Sequence, residues 1–277
     1  MKQLPPAIID FHVHLFPDKG FDAIWAYFKN HGAEVRYKYY TPQCIDYLTG
    51  QDVGTIVYSN YAHKKGVAGP MNEWNLALLD QHPNLYCFAA YHPEDGDALD
   101  YAARMLAHPR VAGIKLHFMV QRLFAHDERL YPMYEMIMEK NKRLLLHVGN
   151  GPMGNAFVGI DQFKKVLQRY PDLPANIPHM GGYEFKAFME LLDQHPRLYL
   201  DTAYSFWPGL PFTFNLSSDY LEKHRHRILY GSDFPNVILP REGEINYLLG
   251  LDLSEEFYRL VFHGNGRRLL QESCPTD

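Results

Sequence analysis

The chain has 277 residues, 47% hydrophobic and 21% charged, enough to bury a substantial core and outside the range of disordered, collagenous or fibrous proteins. Its 27 basic and 32 acidic side chains leave a net charge of −5, so nucleic acid is not an expected partner. Cys44, Cys87 and Cys274 show no zinc-finger or C-x-x-C spacing, and neither a leader-like N-terminus nor an apolar run of membrane length occurs, so a soluble, cytoplasmic chain with no membrane partner is expected.

In chain order, short apolar runs rich in β-branched or aromatic residues predict eight strands. They lie at Ala7 to Phe11, Thr55 to Tyr58, Leu85 to Ala90, Val111 to Leu116, Arg143 to Val148, Ala175 to Ile177, Leu198 to Asp201 and Arg227 to Tyr230. Helical periodicity separates most of them, at Asn72 to Gln81, Asp97 to Ala107, Tyr131 to Asn141, Ile160 to Tyr170 and Tyr183 to Gln194. Strand alternating with helix predicts a parallel sheet, and eight such units predict a (β/α)8 TIM barrel, with residues 1–277 as a single domain. Gln81-His82-Pro83, Ala107-His108-Pro109 and Gln194-His195-Pro196 each end a helical run. Proline stops the helix, and the imidazole before it sits where a helix C-terminus favours positive charge, so these three histidines read as structural.

Two stretches depart from the compact repeat. Leu15 to Asp52 is a loop insertion of 38 residues containing the aromatic and basic run Arg36-Tyr37-Lys38-Tyr39-Tyr40, suited to a lid, a substrate wall or an oligomer contact; a homodimer is the expected assembly. Ala203 to Ser218, with Trp207, Phe212 and Phe214, reads either as an aromatic flap over the site or as plain packing.

Polar residues interrupt the apolar pattern at a regular interval. Lys115, His147 and His179 follow one another 32 residues apart, and Asp201 and Asp233 are again 32 apart. One βα unit takes roughly 30 residues, so each of these falls at the C-terminal end of its strand, the end that carries chemistry in such barrels. His12 and His14 stand at i and i+2 on the first strand, whose period of two points both to one face. Burying two neutral imidazoles among apolar neighbours is costly unless something accepts their lone pairs, which a divalent metal does. With His147, His179 and Asp233 each closing an apolar strand, four histidines and a carboxylate converge on an expected metal site.

These segments resemble the amidohydrolase superfamily, and within it the amidohydrolase-related group that includes aminocarboxymuconate semialdehyde decarboxylase. The resemblance rests on Ile9-Asp10-Phe11-His12-Val13-His14, on Gly113-Ile114-Lys115-Leu116-His117 with Gln121, Phe124, Asp127 and Pro132, and on His179-Met180-Gly181-Gly182. It continues through Tyr230-Gly231-Ser232-Asp233-Phe234-Pro235 to Asn265-Gly266-Arg267-Arg268-Leu269-Leu270 and so spans nearly the whole chain.

The resemblance implies that His12, His14 and His147 bind one divalent metal, with Asp233 beside or within its coordination sphere. His179 is then next to the metal-bound water, and Asp233 takes the proton from that water and later delivers it to the leaving group. Zinc is the expected ion, although manganese, iron, cobalt and nickel bind comparable sets. Binuclear members carry a carboxylated lysine on the fourth strand; Lys115 is expected to stay unmodified, as a cation for the substrate or for nearby carboxylates. His117 is either substrate-facing or a core histidine, and Arg122 either grips a substrate carboxylate or is a solvated surface arginine.

The expected activity is metal-dependent hydrolysis of a small carboxylated or cyclic substrate at an amide, lactam or lactone bond. Nonoxidative decarboxylation of a small unsaturated or aromatic carboxylic acid is the alternative. A metal-dependent nuclease of the TatD type also opens with H-x-H but places a glutamate where this chain has Lys115-Leu116-His117. A non-catalytic binding protein on the same barrel is disfavoured because every expected ligand is present.

Overall fold

In the computed structural model, which describes residues 4, 5 and 7–275, each apolar run bounded by turn-forming residues becomes a strand. These are β1 (Ile8–His14), β2 (Val53–Ser59), β3 (Leu85–Ala90), β4 (Val111–His117), β5 (Arg143–His147), β6 (Ala175–Ile177), β7 (Tyr199–Asp201) and β8 (Ile228–Leu229). All pair in parallel, each beside the next in chain order. The ring is completed by single contacts: Phe11 N–H donates to the Tyr230 carbonyl and His14 N–H to the Phe234 carbonyl, both at 2.8 Å. The architecture is the expected TIM barrel, nearly closed.

The helices are α1 (Asp18–Asn30), α2 (Thr41–Thr49), α3 (Ala68–Gln81), α4 (Ala98–Leu106), α5 (Phe118–Gln121) and α6 (Tyr131–Glu139). They continue as α7 (Ile160–Arg169), α8 (Phe185–Gln194), α9 (Ser218–Lys223), α10 (Arg241–Gly250), α11 (Glu255–Arg259) and α12 (Asn265–Ser273). The first connection, expected as a loop insertion, therefore holds two helices. Pro42 sits in the first turn of α2, the Gln43 side chain accepts the Tyr40 N–H at 2.9 Å, and Cys44, Ile45 and Leu48 are buried. The 203–218 stretch is packed down: Phe206, Trp207 and Phe214 are buried, and a Cβ on Gly243 of α10 would lie 2.7 Å from the Trp207 ring. Plain packing describes it better than a flap. Cys44, Cys87 and Cys274 are buried and unbridged. Among the described residues, no helix is long and apolar enough to cross a membrane.

Two apolar bodies result. One lies between strands and helices; the other fills the barrel interior with Ile9, Phe11, Val57, Phe88, Ala112, Leu145, Tyr199 and Leu229, closed from below by Leu269 and Leu270 of α12. Strict alternation would place Asp10 on the same face as His12 and His14. Instead the β1–β2 register shifts between Asp10 and Val13, so Phe11 and His12 both turn inward while Asp10 faces Arg241 of α10, Oδ2 to Nη2 3.9 Å. Asp10 Oδ1 accepts the N–H groups of Ser232 at 3.0 Å and His12 at 3.3 Å, tying β1 to the segment after β8.

The β3–β4 pairing also shifts register, stepping from Val111 opposite Cys87 to Gly113 opposite Phe88. A Cβ on Gly113 would sit 1.6 Å from the Arg143 carbonyl oxygen on β5, so only glycine permits the β4–β5 pairing that carries Lys115 and His147. Gly113→Ala is expected to lose at least about 3 kcal/mol, the upper end for overpacking, seen as a lowered urea midpoint.

Candidate metal centre

The interior above the apolar floor is polar. His12 and His14 lie on β1, Lys115 and His117 on β4, His147 ends β5, His179 follows β6, Asp201 ends β7 and Asp233 follows β8, all of them buried. The 32-residue interval thus corresponds to one turn of strand, helix and return, and it brings these side chains to one mouth.

Three of the imidazoles have their Nδ1 atoms committed outward. His12 Nδ1–H donates to Asp201 Oδ2 at 2.9 Å, His14 Nδ1–H to the Ser59 carbonyl at 3.3 Å and His179 Nδ1–H to the Ala203 carbonyl at 2.9 Å. Each neutral ring is then the tautomer whose Nε2 carries a lone pair. Nε2 of His12 and of His14 lie 3.2 and 3.0 Å from Asp233 Oδ1, which also presents lone pairs. Acceptors this close repel unless a proton or a cation lies among them. Burial, reinforced by the Lys115 charge, holds His12 well below the usual histidine range, which disfavours a proton on its Nε2. The buried Nε2 atoms of His12 and His147 have no hydrogen-bond partner. Nitrogen lone pairs and a carboxylate oriented in this way fit a divalent cation of the zinc or manganese kind.

His12, His14 and Asp233 offer atoms all within 4.8 Å of one another, as do His12, His179 and Asp201. The second group contains the His12 Nδ1–Asp201 hydrogen bond, so its carboxylate orients an imidazole. Asp201 had only its place in the 32-residue interval to signal it. Its two oxygens divide the work: Oδ2 takes His12 Nδ1–H, and Oδ1 takes the backbone N–H groups of His179 at 3.0 Å and Ala203 at 3.2 Å. Such outer carboxylates fix both tautomer and ring orientation. His147 joins neither group; its ring stacks on His117, centroids 4.1 Å apart, and meets His179 edge-on at 5.0 Å.

Lys115 is 1% exposed, and its Nζ has no hydrogen-bond partner. Burial lowers its ammonium to about 8, partly offset by the Asp233 and Asp201 carboxylates. His117 lies in the cluster, between Tyr61, at 4.8 Å, and His147. Arg122 does not: it is exposed, and it caps α5 in the left-handed region at φ 54°.

The His179-Met180-Gly181-Gly182 run forms a turn in which all four residues have positive φ, from 52° to 86°. For His179 and Met180 this costs roughly 1–2 kcal/mol each, sustained by the packing around them. Gly149 and Gly151 lie backbone to backbone against this turn; a Cβ on Gly182 would be 2.3 Å from the Gly151 nitrogen. Gly182→Ala is expected to lower the thermal midpoint by several degrees, whereas Gly96→Ala, with open space around it, should leave the midpoint unchanged.

Comparison with known proteins agrees with the fold. The chain resembles the 5-carboxyvanillate decarboxylase LigW of Sphingomonas paucimobilis, with TM-score 0.68 and 13% identity over 97% of this chain and 100% of that one. It also resembles the 4-oxalomesaconate hydratase LigJ of Rhodopseudomonas palustris, with TM-score 0.64 and 18% identity over 96% of each chain. A third structure, 5-carboxyvanillate decarboxylase of Novosphingobium aromaticivorans complexed with manganese and 4-hydroxy-3-methoxy-5-nitrobenzoic acid, matches with TM-score 0.66 and 12% identity over 96% of each chain. At these identities the likeness establishes the fold. Among curated proteins, none is a significant sequence match. The family model described as Amidohydrolase, however, matches residues 9–271, and the chain belongs to that amidohydrolase family.

Proposed function

We propose that the protein is a metal-dependent hydrolase of a small carboxylated or cyclic substrate, cleaving an amide, lactam or lactone bond. The observation that carries this reading is the set of buried lone pairs of His12, His14 and Asp233 facing one another, with the unpartnered Nε2 of His147 and the Lys115 ammonium buried in the same cluster. These four residues would hold one divalent ion, zinc or manganese. Such an ion supplies Lewis-acid polarisation and a water acidified to a pKa near about 7.

The chain's own groups do the rest. The Asp233 carboxylate accepts the proton of the attacking water and returns it to the leaving group. His179, its Nδ1–H held by Ala203, turns Nε2 toward the cluster and orients the water or polarises the substrate oxygen. Lys115, unmodified and charged, pairs with the substrate carboxylate, and its burial strengthens that pairing over one in water. His117 lines the same wall. Arg122, exposed at the end of α5, takes no part in this pairing. Nonoxidative decarboxylation is the second reading, favoured by the likeness to two 5-carboxyvanillate decarboxylases along nearly their whole length.

Metal content and a substrate screen test the proposal. Protein purified without chelator should hold about one divalent ion per chain, on the open-site logic of a catalytic centre. Chelation should abolish turnover, and zinc or manganese should restore it. In a screen of lactones, cyclic amides and unsaturated carboxylic acids, ring opening supports hydrolysis, while release of CO₂ moves the assignment to decarboxylation. His14→Ala should lose metal and activity together. Asp233→Asn should keep most of the metal yet lose about 10² to 10⁴ in kcat, the usual cost of a missing general base. His179→Asn should keep metal and lose turnover; if it empties the site, His179 is a ligand and the assignment of residues is wrong.

A further inference from the structure

The tyrosines of the first connection lie against the residue that follows Asp233. Phe234 is buried, and the Tyr47 ring of α2 stacks on it with centroids 4.9 Å apart and planes 5° from parallel. Tyr37 approaches the same ring at 4.9 Å and Tyr39 at 6.3 Å. The far ends of two of these tyrosines are anchored: Tyr47 Oη donates to Glu242 Oε1 at 2.6 Å, and Tyr37 Oη to Glu242 Oε2 at 3.4 Å. The Tyr37 hydroxyl also accepts the Arg241 N–H at 3.2 Å, and Arg36 N–H donates to the Val237 carbonyl at 2.7 Å. The first connection is therefore stitched along the whole β8–α10 segment.

Asp233 needs such support. Its φ is 58°, a conformation that L-residues hold only where the surroundings impose it. The backbone here is tied to β1 by two bonds of 2.8 Å, Asp233 N–H to the His12 carbonyl and His14 N–H to the carbonyl of the next residue, Phe234. Neither bond fixes the Phe234 side chain, and a rotation that freed it would carry the adjacent carboxylate away from His12 and His14.

We infer that Tyr47, with Tyr37 and Tyr39, is a positioning residue for Asp233. The stacked ring on Phe234 holds the left-handed backbone at Asp233, and so keeps its carboxylate aimed into the histidine cluster. The consequence for turnover rests on the reading of Asp233 as the proton acceptor; the consequence for the backbone does not.

Residue-resolved hydrogen exchange on Tyr47→Leu and Tyr47→Phe tests this, with the β5 amides of Leu144 to Leu146 as internal reference. Tyr47→Leu should exchange at least about tenfold faster at the Asp233 and His14 amides, with the β5 amides unchanged, as expected of a local opening. Tyr47→Phe, which keeps the ring, should stay within about threefold of the parent. Unchanged exchange in Tyr47→Leu overturns the inference, as does an equal rise in β5, which would mark general destabilisation. A Tyr47→Phe protein as fast as Tyr47→Leu also overturns it, because the Glu242 tether rather than the ring would then be what holds the segment. With a turned-over substrate from the screen, Tyr47→Leu should lower kcat at unchanged KM. If Asp233→Asn is itself fully active, the proton-acceptor reading fails while the exchange result still stands.

Discussion

The crowding of lone pairs at one end of the barrel is the constraint on which the rest of this structure depends. Nε2 of His12 and His14 and a carboxylate oxygen of Asp233 meet within hydrogen-bonding distance, yet the protons that would pair them are spent elsewhere, on Asp201 and Ser59. The arrangement is stable only with positive charge at its centre. Everything around it serves to hold acceptors together that would otherwise separate: the sheet hydrogen bonds of β1, the Asp201 carboxylate behind His12, and the Asp10 carboxylate between β1 and the segment after β8.

Backbone strain is distributed in the same region. His179, Met180, Tyr204 and Asp233 are non-glycine residues with positive φ, and all lie just beyond β6, β7 or β8. These are the shortest strands of the barrel, at three, three and two residues. Short strands end the regular ladder early and release the chain to make sharp, left-handed turns that aim side chains inward. The stabilisation lost is recovered by close packing, with Gly149 and Gly151 against the His179 turn and Trp207 against Gly243. Strain concentrated at functional positions and sustained by neighbouring packing is the usual pattern.

Much of this was legible in the sequence because it follows from periodicity. The eight strands, the convergence of His12, His14, His147, His179 and Asp233, and the place of Lys115 at the C-terminal end of its strand all derive from alternation and from the 32-residue interval. What escaped depends on partners distant in sequence. Asp201 stood in the interval, but its role is set by His12, 189 residues away. The displacement of Asp10 from the histidine face needs a register shift that no local pattern announces. The helices α1 and α2 lie in a stretch whose aromatic run reads as a loop, and Tyr37 and Tyr39 of that run pack on Phe234. His147 shows the limit of spacing as a guide: it reaches the cluster, but its ring lies against His117 and His179 rather than within the closest group of donors.

The floor of the barrel has a consequence for molecular traffic. Ile9, Phe11, Val57, Phe88, Leu145 and Leu229 fill the interior below the histidines, and α12 covers them from the other end, with Gly266 close enough to Ile9 and Phe11 that a Cβ would touch both. Packed side chains thus close the interior beneath the histidines, and the C-terminal ends of the strands are the side from which the histidines are approached. On the proposed reading, product leaves on the side from which substrate arrives, and product inhibition is expected to be competitive.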